Sequence, residues 1–449
     1  MRTSASPTST AARRAEIGAR SAGVRLGALF GPAVFGVTAA GVALPNVAAA
    51  LGSSPAAVVW VLTAHALALG VGTALFGRLA DTRGVRATLL AGALVLGAGA
   101  LICVMAPNLG VLVAGRFILA AGSGAMSAGA LSLVASTRPD HRSTVLASFG
   151  GAMAIFSAAA TLMGGVVTEA LTWRATLVLP ALSLLVVPFC LRLAVRPGSG
   201  RPIDLPGAGL LTVAAAAFLV LVQASALNLT ATATAAVATL SVLAAAGLVR
   251  RVRRVPEGFV PRGLIADRTF LVAAAVGAGV YGGLFAAMYV APQVLVREHG
   301  WSIPAVGTWL LPGALAGAAL SRVAGRLASG DGGKRLAAVA AASFAILLCL
   351  AGIIGDGPVL LVVGASLGFA AFSVTQVVVT GLMSVHIPPE RRGGVMGLLN
   401  LAFFLGGGVG SAAAGALSQV MEPAGALSLV AVLPLVAAVL AMRLSPAAR

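Results

Sequence analysis

The chain has 449 residues, of which 59% are hydrophobic and 9% charged, with a formal net charge of +18. A soluble globular protein carries about 25% charged residues, so a soluble enzyme, a nucleic-acid binder and a disordered chain all fit poorly, the positive charge notwithstanding. A transmembrane helix takes about 20 apolar residues, and the composition and length match an all-α, multi-pass membrane protein with short loops.

Residues 1–25 are rich in Ser, Thr, Ala and Arg and are expected to form a mobile basic tail. The apolar run that follows exceeds a signal-peptide core and reads as a retained first span. Apolar runs recur at 26–49, 55–77, 86–105, 109–134, 143–168 and 173–194. A pair lies at 207–227 and 230–250, and six more at 269–292, 303–324, 335–354, 358–382, 394–417 and 424–443, fourteen in all. The predicted organisation is a six-helix half (26–194), a linker (195–206), a two-helix insert (207–250), a basic linker (251–268), a second six-helix half (269–443) and a short tail (444–449). Membrane strands are excluded, because the runs lack the apolar/polar alternation of a barrel. Cys103, Cys190 and Cys349 lie inside apolar runs and read as buried thiols. Lysine occurs once, at Lys334; the arginine, alanine and glycine bias fits a GC-rich bacterial genome.

The basic residues orient the chain. They precede the first span and follow every even-numbered one, which puts 27 of 30 on one side and leaves Arg116, Arg174 and Arg297. The positive-inside rule then places both termini in the cytoplasm. The chain also repeats weakly. Gly77-Arg78-Leu79-Ala80 recurs as Gly325-Arg326-Leu327-Ala328, and Pro139-Asp140-His141-Arg142 as Pro389-Glu390-Arg391-Arg392, at offsets of 248 and 250 residues. Two parallel six-helix repeats around an insert produce that spacing, with a site expected between the halves near the midplane.

The stretch Gly77-Arg78-Leu79-Ala80-Asp81-Thr82-Arg83-Gly84-Val85-Arg86 resembles the loop signature of the major facilitator superfamily. The fourteen-span plan, with Val42-Ala43-Leu44-Pro45, Trp60-Val61-Leu62-Thr63-Ala64 and Ile203-Asp204-Leu205-Pro206-Gly207, resembles its drug:proton antiporter-2 family. Gly394-Val395-Met396-Gly397-Leu398-Leu399-Asn400 is similar to the fourteen-span tetracycline efflux group. The resemblance implies that Gly77, Arg78, Asp81, Arg83, Gly84 and Arg86 form a gate that holds the cytoplasmic side shut in one state. On physical grounds Gly77 and Gly84 permit close approach and a tight turn. Asp81 falls near the start of helix three, where the helix dipole favours an anion, and Arg78, Arg83 and Arg86 can pair with it or with helix ends. The bland alternative is a solvated turn.

All twelve acids fall in tails, loops or span ends. The family usually carries an acid in span one, where this chain reads Phe35-Gly36-Val37-Thr38. It usually has Gly-Pro-x-x-Gly-Gly in span five, where this chain reads Ala160-Thr161-Leu162-Met163-Gly164-Gly165. The acid of tetracycline exporters in span thirteen is missing from Leu405-Gly406-Gly407-Gly408-Val409-Gly410. Two ionisable groups remain at depth. Arg116 lies roughly 10 Å below the outer face at 1.5 Å per residue; it matches the family's span-four arginine, and an intramembrane arginine faces either a cavity or helix carbonyls. His65 lies near the midplane, where it either packs between helices or carries a proton. Tyr281, Phe285 and Tyr289 recur every four residues with Gln293 one step on, a face expected to border a cavity for a bulky ligand. Gln223, Gln376 and Asn400 are buried polar candidates that either line the cavity or bond between helices.

These residues and the resemblance together imply export of a small, partly hydrophobic drug, antibiotic or natural product by alternating access with proton antiport. The expected setting is the bacterial inner membrane, as a monomer in the bilayer without nucleic acid, metal or cofactor, with the proton gradient as energy source. The missing acids keep a facilitator or importer without proton coupling open. A membrane sensor lacks an output domain, and no Ser/His/Asp or metal cluster points to an enzyme. Arg116 and His65, with no mid-membrane carboxylate, favour neutral or anionic amphiphiles over cations.

Overall fold

The structure, a computed structural model, describes residues 7–53, 55–58, 60–195, 197–224, 227, 229–328, 330–354 and 357–444. Every regular element among them is helical. Lipid leaves no partner for a free backbone group, and a helix satisfies its own. Short polar residues mark many of the helix starts. Asn108 accepts the Val111 N–H at 3.0 Å, Thr230 that of Ala233 at 3.2 Å, and Ser302 that of Ala305 at 3.3 Å.

The first span is broken. Helix α1 (Pro7–Phe30) runs into a 3₁₀ turn (Gly31–Gly36) and then α2 (Thr38–Leu51). Pro32 has no N–H to donate, so the α ladder fails there. Helix α1 also takes in much of the stretch expected to be a mobile tail. The next spans are α3 (Trp60–Arg83), α4 (Val85–Met105), α5 (Leu109–Ala135) and α6 (Pro139–Ala170), the last bent by 51° between Ser157 and Leu162. The insert is α7 (Leu205–Val222) and α8 (Ala231–Arg254). The second half follows as α9 (Arg268–Arg297), α10 (Ile303–Leu327), α11 (Asp331–Ile354), α12 (Pro358–His386), α13 (Arg392–Leu417), α14 (Pro423–Val430) and α15 (Val432–Ala441).

Twelve of the described helices are long and apolar enough to cross a membrane, or thirteen with the bent α6. The stretch expected as an unbroken sixth span, 173–194, is instead three short pieces: Trp173–Leu177, Leu179–Leu185 and Val187–Leu191. Pro180 and Pro188 interrupt its ladder, a signal present in the sequence that hydropathy alone passes over.

The helices pack as two related bundles. Helix α3 packs on α5, α4 on α5, and α1 and α2 on α6; in the second half α9 packs on α13 and α12 on α10 and α11. Between the halves α3 meets α13 and α6 meets α10. The sequence repeat maps α3 onto α10 and α6 onto α13, so these two seams are the same contact seen twice, related by a pseudo-two-fold axis. Helix α5 is central, with 83% of its apolar window buried, whereas α8 has 6% buried and presents its side chains to lipid. The insert lies beside the α3–α13 seam, with α7 touching both helices.

Candidate functional site

At the end of the bundle that carries most of the arginines, the two halves are joined by one carboxylate. Asp81 sits in the last turn of α3, not at the start of the next helix as the sequence reading placed it. Its Oδ1 accepts the Gly393 N–H at 2.7 Å and its Oδ2 the Gly394 N–H at 2.6 Å. These are free N–H groups in the first turn of α13, where the helix dipole favours an anion. Glycine is required there: a Cβ on Gly393 would lie 2.6 Å from Asp81 Oδ1 and 2.5 Å from the Gly77 carbonyl. Arg392 adds a second tie, donating to the Ala135 carbonyl of α5 at 3.1 Å and to Ile387 at 3.0 Å.

The other loop residues have distinct places. Arg78 lays its stem across Gly394 and donates to the Gly258 carbonyl at 2.9 Å rather than pairing directly with Asp81. Arg83 and Arg86 are exposed. Gly84, at φ 87°, turns the chain from α3 into α4, a conformation side chains disfavour. The repeated loop in the second half has no equivalent acid reaching across. Asp331 pairs at 2.7 Å with Lys334 on its own helix, and Gly325 simply packs against Ser143 and Ala147.

Asp204 builds a second polar cluster at the same end. Its carboxylate accepts from Gly207 N–H at 3.1 Å, Phe259 N–H at 3.1 Å and the Arg251 guanidinium at 2.8 and 3.1 Å. Burial pushes this carboxyl up, and the Arg251 guanidinium with the Phe259 and Gly207 N–H groups outweighs it, holding the group below the usual carboxylate range.

Toward the end of the bundle opposite Asp81, Arg116 is fully buried. Its guanidinium donates to the carbonyls of Gly36, Val61 (3.4 Å) and Leu177 (2.5 Å). Gly36 ends the 3₁₀ turn of the first span and Leu177 ends the first piece of the broken 173–194 stretch, so the arginine supplies donors where two ladders fail. His65 is fully buried with its ring against Gly36.

The aromatic face of α9 divides. Tyr281 is buried, touching Phe372, Phe403 and Phe404 with ring centroids 4.9, 5.0 and 6.0 Å away, and its hydroxyl donates to Gln376 Oε1 at 2.8 Å. Phe285 is half-buried beside it. Tyr289 is 42% exposed, and Gln293 bonds back to the Tyr289 carbonyl of its own helix. The expected single face fails for a geometric reason: four residues turn an α-helix by about 400°, so each step drifts about 40°. Tyr281 and Phe285 line a narrow cavity between the halves with Phe30, Val34, Thr38, Ser157, Leu284, Met288, Phe369, Phe372 and Phe404. No charged side chain lines it. Asn400 is buried with neither amide atom partnered among the described residues, and Gln223 accepts from Thr63 at 2.7 Å, tying α7 to α3. Sequence reasoning missed the roles of Gly393, Gly394, Arg392 and Gly258; the run Arg391-Arg392-Gly393-Gly394 opening a helix was the available signal.

The chain matches the family model described as Major Facilitator Superfamily over residues 26–280 and 269–449. It belongs to that superfamily. It is 28% identical to a lincomycin resistance protein of Streptomyces lincolnensis over 62% of this chain and 58% of that one. It is 30% identical to a puromycin resistance protein of Streptomyces alboniger over 55% and 50%, and 34% identical to a cephamycin export protein of Amycolatopsis lactamdurans over 40% and 38%. The chain spans less than two thirds of the length of these curated relatives. Among solved structures, a human organic anion transporter superposes with a TM-score of 0.64 at 16% identity, over 95% of this chain and 99% of that one. A proton:xylose symporter superposes at 0.65 and 14% identity, over 93% and 94%. Both likenesses establish the fold.

Proposed function

We propose that this protein exports a small, partly hydrophobic compound, of the antibiotic or natural-product kind, across a bacterial cytoplasmic membrane by alternating access. The observation that carries the reading is the Asp81 carboxylate bridging α3 to the Gly393 and Gly394 N–H groups of α13. It locks the two halves at one end, where the other ties are packing, carbonyl bonds and the exposed Glu257–Arg391 pair, which is what a releasable gate requires. The arginine asymmetry supports assigning that end, and both termini, to the cytoplasm. The antibiotic-resistance and export relatives support the cargo class and the direction.

The cargo site is the aromatic cavity around Tyr281, whose uncharged lining favours neutral amphiphiles over ions; Arg116, expected from the sequence to favour anions, lies outside the lining and spends its donors on three backbone carbonyls. Proton antiport is the proposed energy source, with the protein working as a monomer. One observation favours the alternative of uncoupled transport: no carboxylate lies mid-membrane. Efflux from inverted vesicles, with and without an imposed pH gradient, decides between them. Export that rises with an inward-acid vesicle lumen supports antiport; equal rates with and without the gradient sink it, and no uptake of any neutral or acidic antibiotic sinks the export reading.

A further inference from the structure

We propose that the two linkers of the α7–α8 insert form a strap across the gate, so that the insert restrains opening at the Arg-rich end. The inference rests on the reading of the Asp81 joint as a gate.

The incoming linker finishes α3. Ser199 N–H donates to the Asp81 carbonyl at 2.8 Å and Gly200 N–H to the Thr82 carbonyl at 2.9 Å, filling carbonyls that a helix end leaves free. The residue whose carboxylate joins the halves is thus gripped by its own backbone from the insert side.

The outgoing linker crosses the joint. The Gly258 carbonyl takes Arg78 of α3 at 2.9 Å, and one residue earlier the Glu257 carboxylate pairs at 2.6 Å with Arg391, which leads into α13. Two consecutive residues therefore hold the two helices that Asp81 connects. Their shape is set by Asp204, whose Oδ2 fixes the next N–H, that of Phe259, while Oδ1 holds Arg251 at the end of α8. Phe259 is 1% exposed and anchors the turn.

A passenger insert would have no reason to touch the joint from both of its linkers. When α13 moves away from α3, the Glu257–Arg391 pair and the Asp81 bonds must break together, whereas the Asp204 cluster lies wholly on the insert side and persists. Asp204 is thus a positioning residue for the gate, and Glu257 is its movable contact.

The test uses full-length protein in proteoliposomes with Cys103, Cys190 and Cys349 changed to alanine and Ser132→Cys as the probe. Ser132 is buried beside Gly393, so its alkylation by N-ethylmaleimide reports opening of this end. Glu257→Gln is expected to raise the alkylation rate about two- to fivefold, in keeping with an exposed ion pair. Asp204→Asn should raise it about tenfold, since it frees the whole turn. Adding Glu257→Gln to Asp204→Asn should then add nothing further, and Glu257→Arg with Arg391→Glu should restore the wild-type rate. If Asp204→Asn does not accumulate, the Glu257 arms decide alone. Unchanged rates in Glu257→Gln, while Asp81→Asn raises the rate, overturn the strap and leave the gate standing. An unchanged rate in Asp81→Asn as well overturns the gate reading and the strap with it.

Discussion

Two charged residues, Asp81 and Arg116, do opposite work. Asp81 spends its two oxygens on N–H groups of the other half, so its bonds exist only while that end is closed. Charge-assisted bonds of this kind are worth about 1.5–3 kcal/mol. Asp81→Asn should therefore shift the balance toward the open state by roughly tenfold or more and slow net export in vesicles at matched protein levels; wild-type rates would return Asp81 to a solvated turn. Arg116 instead bonds three carbonyls within its own half: Gly36 at the break of the first span, Leu177 in the 173–194 stretch and Val61 in the first turn of α3. Its removal strands those carbonyls, at about 1–3 kcal/mol for each group left unsatisfied. Arg116→Ala is expected to lower the thermal stability of the purified protein, and Arg116→Lys should not restore it, because a single ammonium lacks the planar fork that reaches all three. A lysine variant as stable as wild type would contradict this.

At the level of helices and loops, the Asp204 cluster has a pH signature. Its carboxyl is held below the unfolded value of about 3.9, so it contributes stability that is fully present above that value and is lost as pH falls through the lower folded value. The facing charge is Arg251, with Arg78 further off. Wild type should lose thermal stability below about pH 4 more steeply than Asp204→Asn; parallel curves would remove the cluster from the account. The α3–α13 crossing has a steric signature. Gly393→Ala places a methyl against Gly77 and Asp81, and overpacking costs about 1–3 kcal/mol, borne by the closed state. Faster alkylation at Ser132→Cys is expected, and an unchanged rate would show that the crossing is looser than described. Local signals were legible for most of these elements: the hydropathy runs marked nearly every span. What escaped were partners set by tertiary placement. Asp81 stood out in the sequence, but the helix that donates to its carboxylate is over three hundred residues away, and no periodicity within α3 encodes that. The α9 stripe misled because spacing by four drifts about 40° per step, so Tyr281 and Phe285 share a face that Tyr289, two steps on, has already left.

For the whole molecule, the repeat of two tetrapeptides at nearly one offset was enough to foresee two related halves, and the pairing of seams bears that out. The lining of the cavity could not be foreseen, since it draws Phe30, Phe372 and Phe404 from helices far apart in sequence. That lining leads to an expectation about cargo: neutral amphiphiles should be exported better than ions, ethidium-like cations among them, when compared in the same vesicles. Robust export of the cation alone would refute it. Cation–π attraction from the aromatic wall is worth about 2 kcal/mol when desolvated, less than the several kcal/mol of moving an unpaired ion out of water. The unequal loops carry one last consequence. Among the described residues, only the α3–α13 seam has a charged clasp; its symmetry mate, α6–α10, is closed by uncharged packing along its length, with Gly151 on Ala318, Gly307 on Leu162 and Gly325 on Ser143 and Ala147. Charge therefore governs one seam and not the other: with Asp81→Asn, paired spin labels across α3–α13 should move apart while those across α6–α10 keep their spacing, and equal separation at both seams would contradict this.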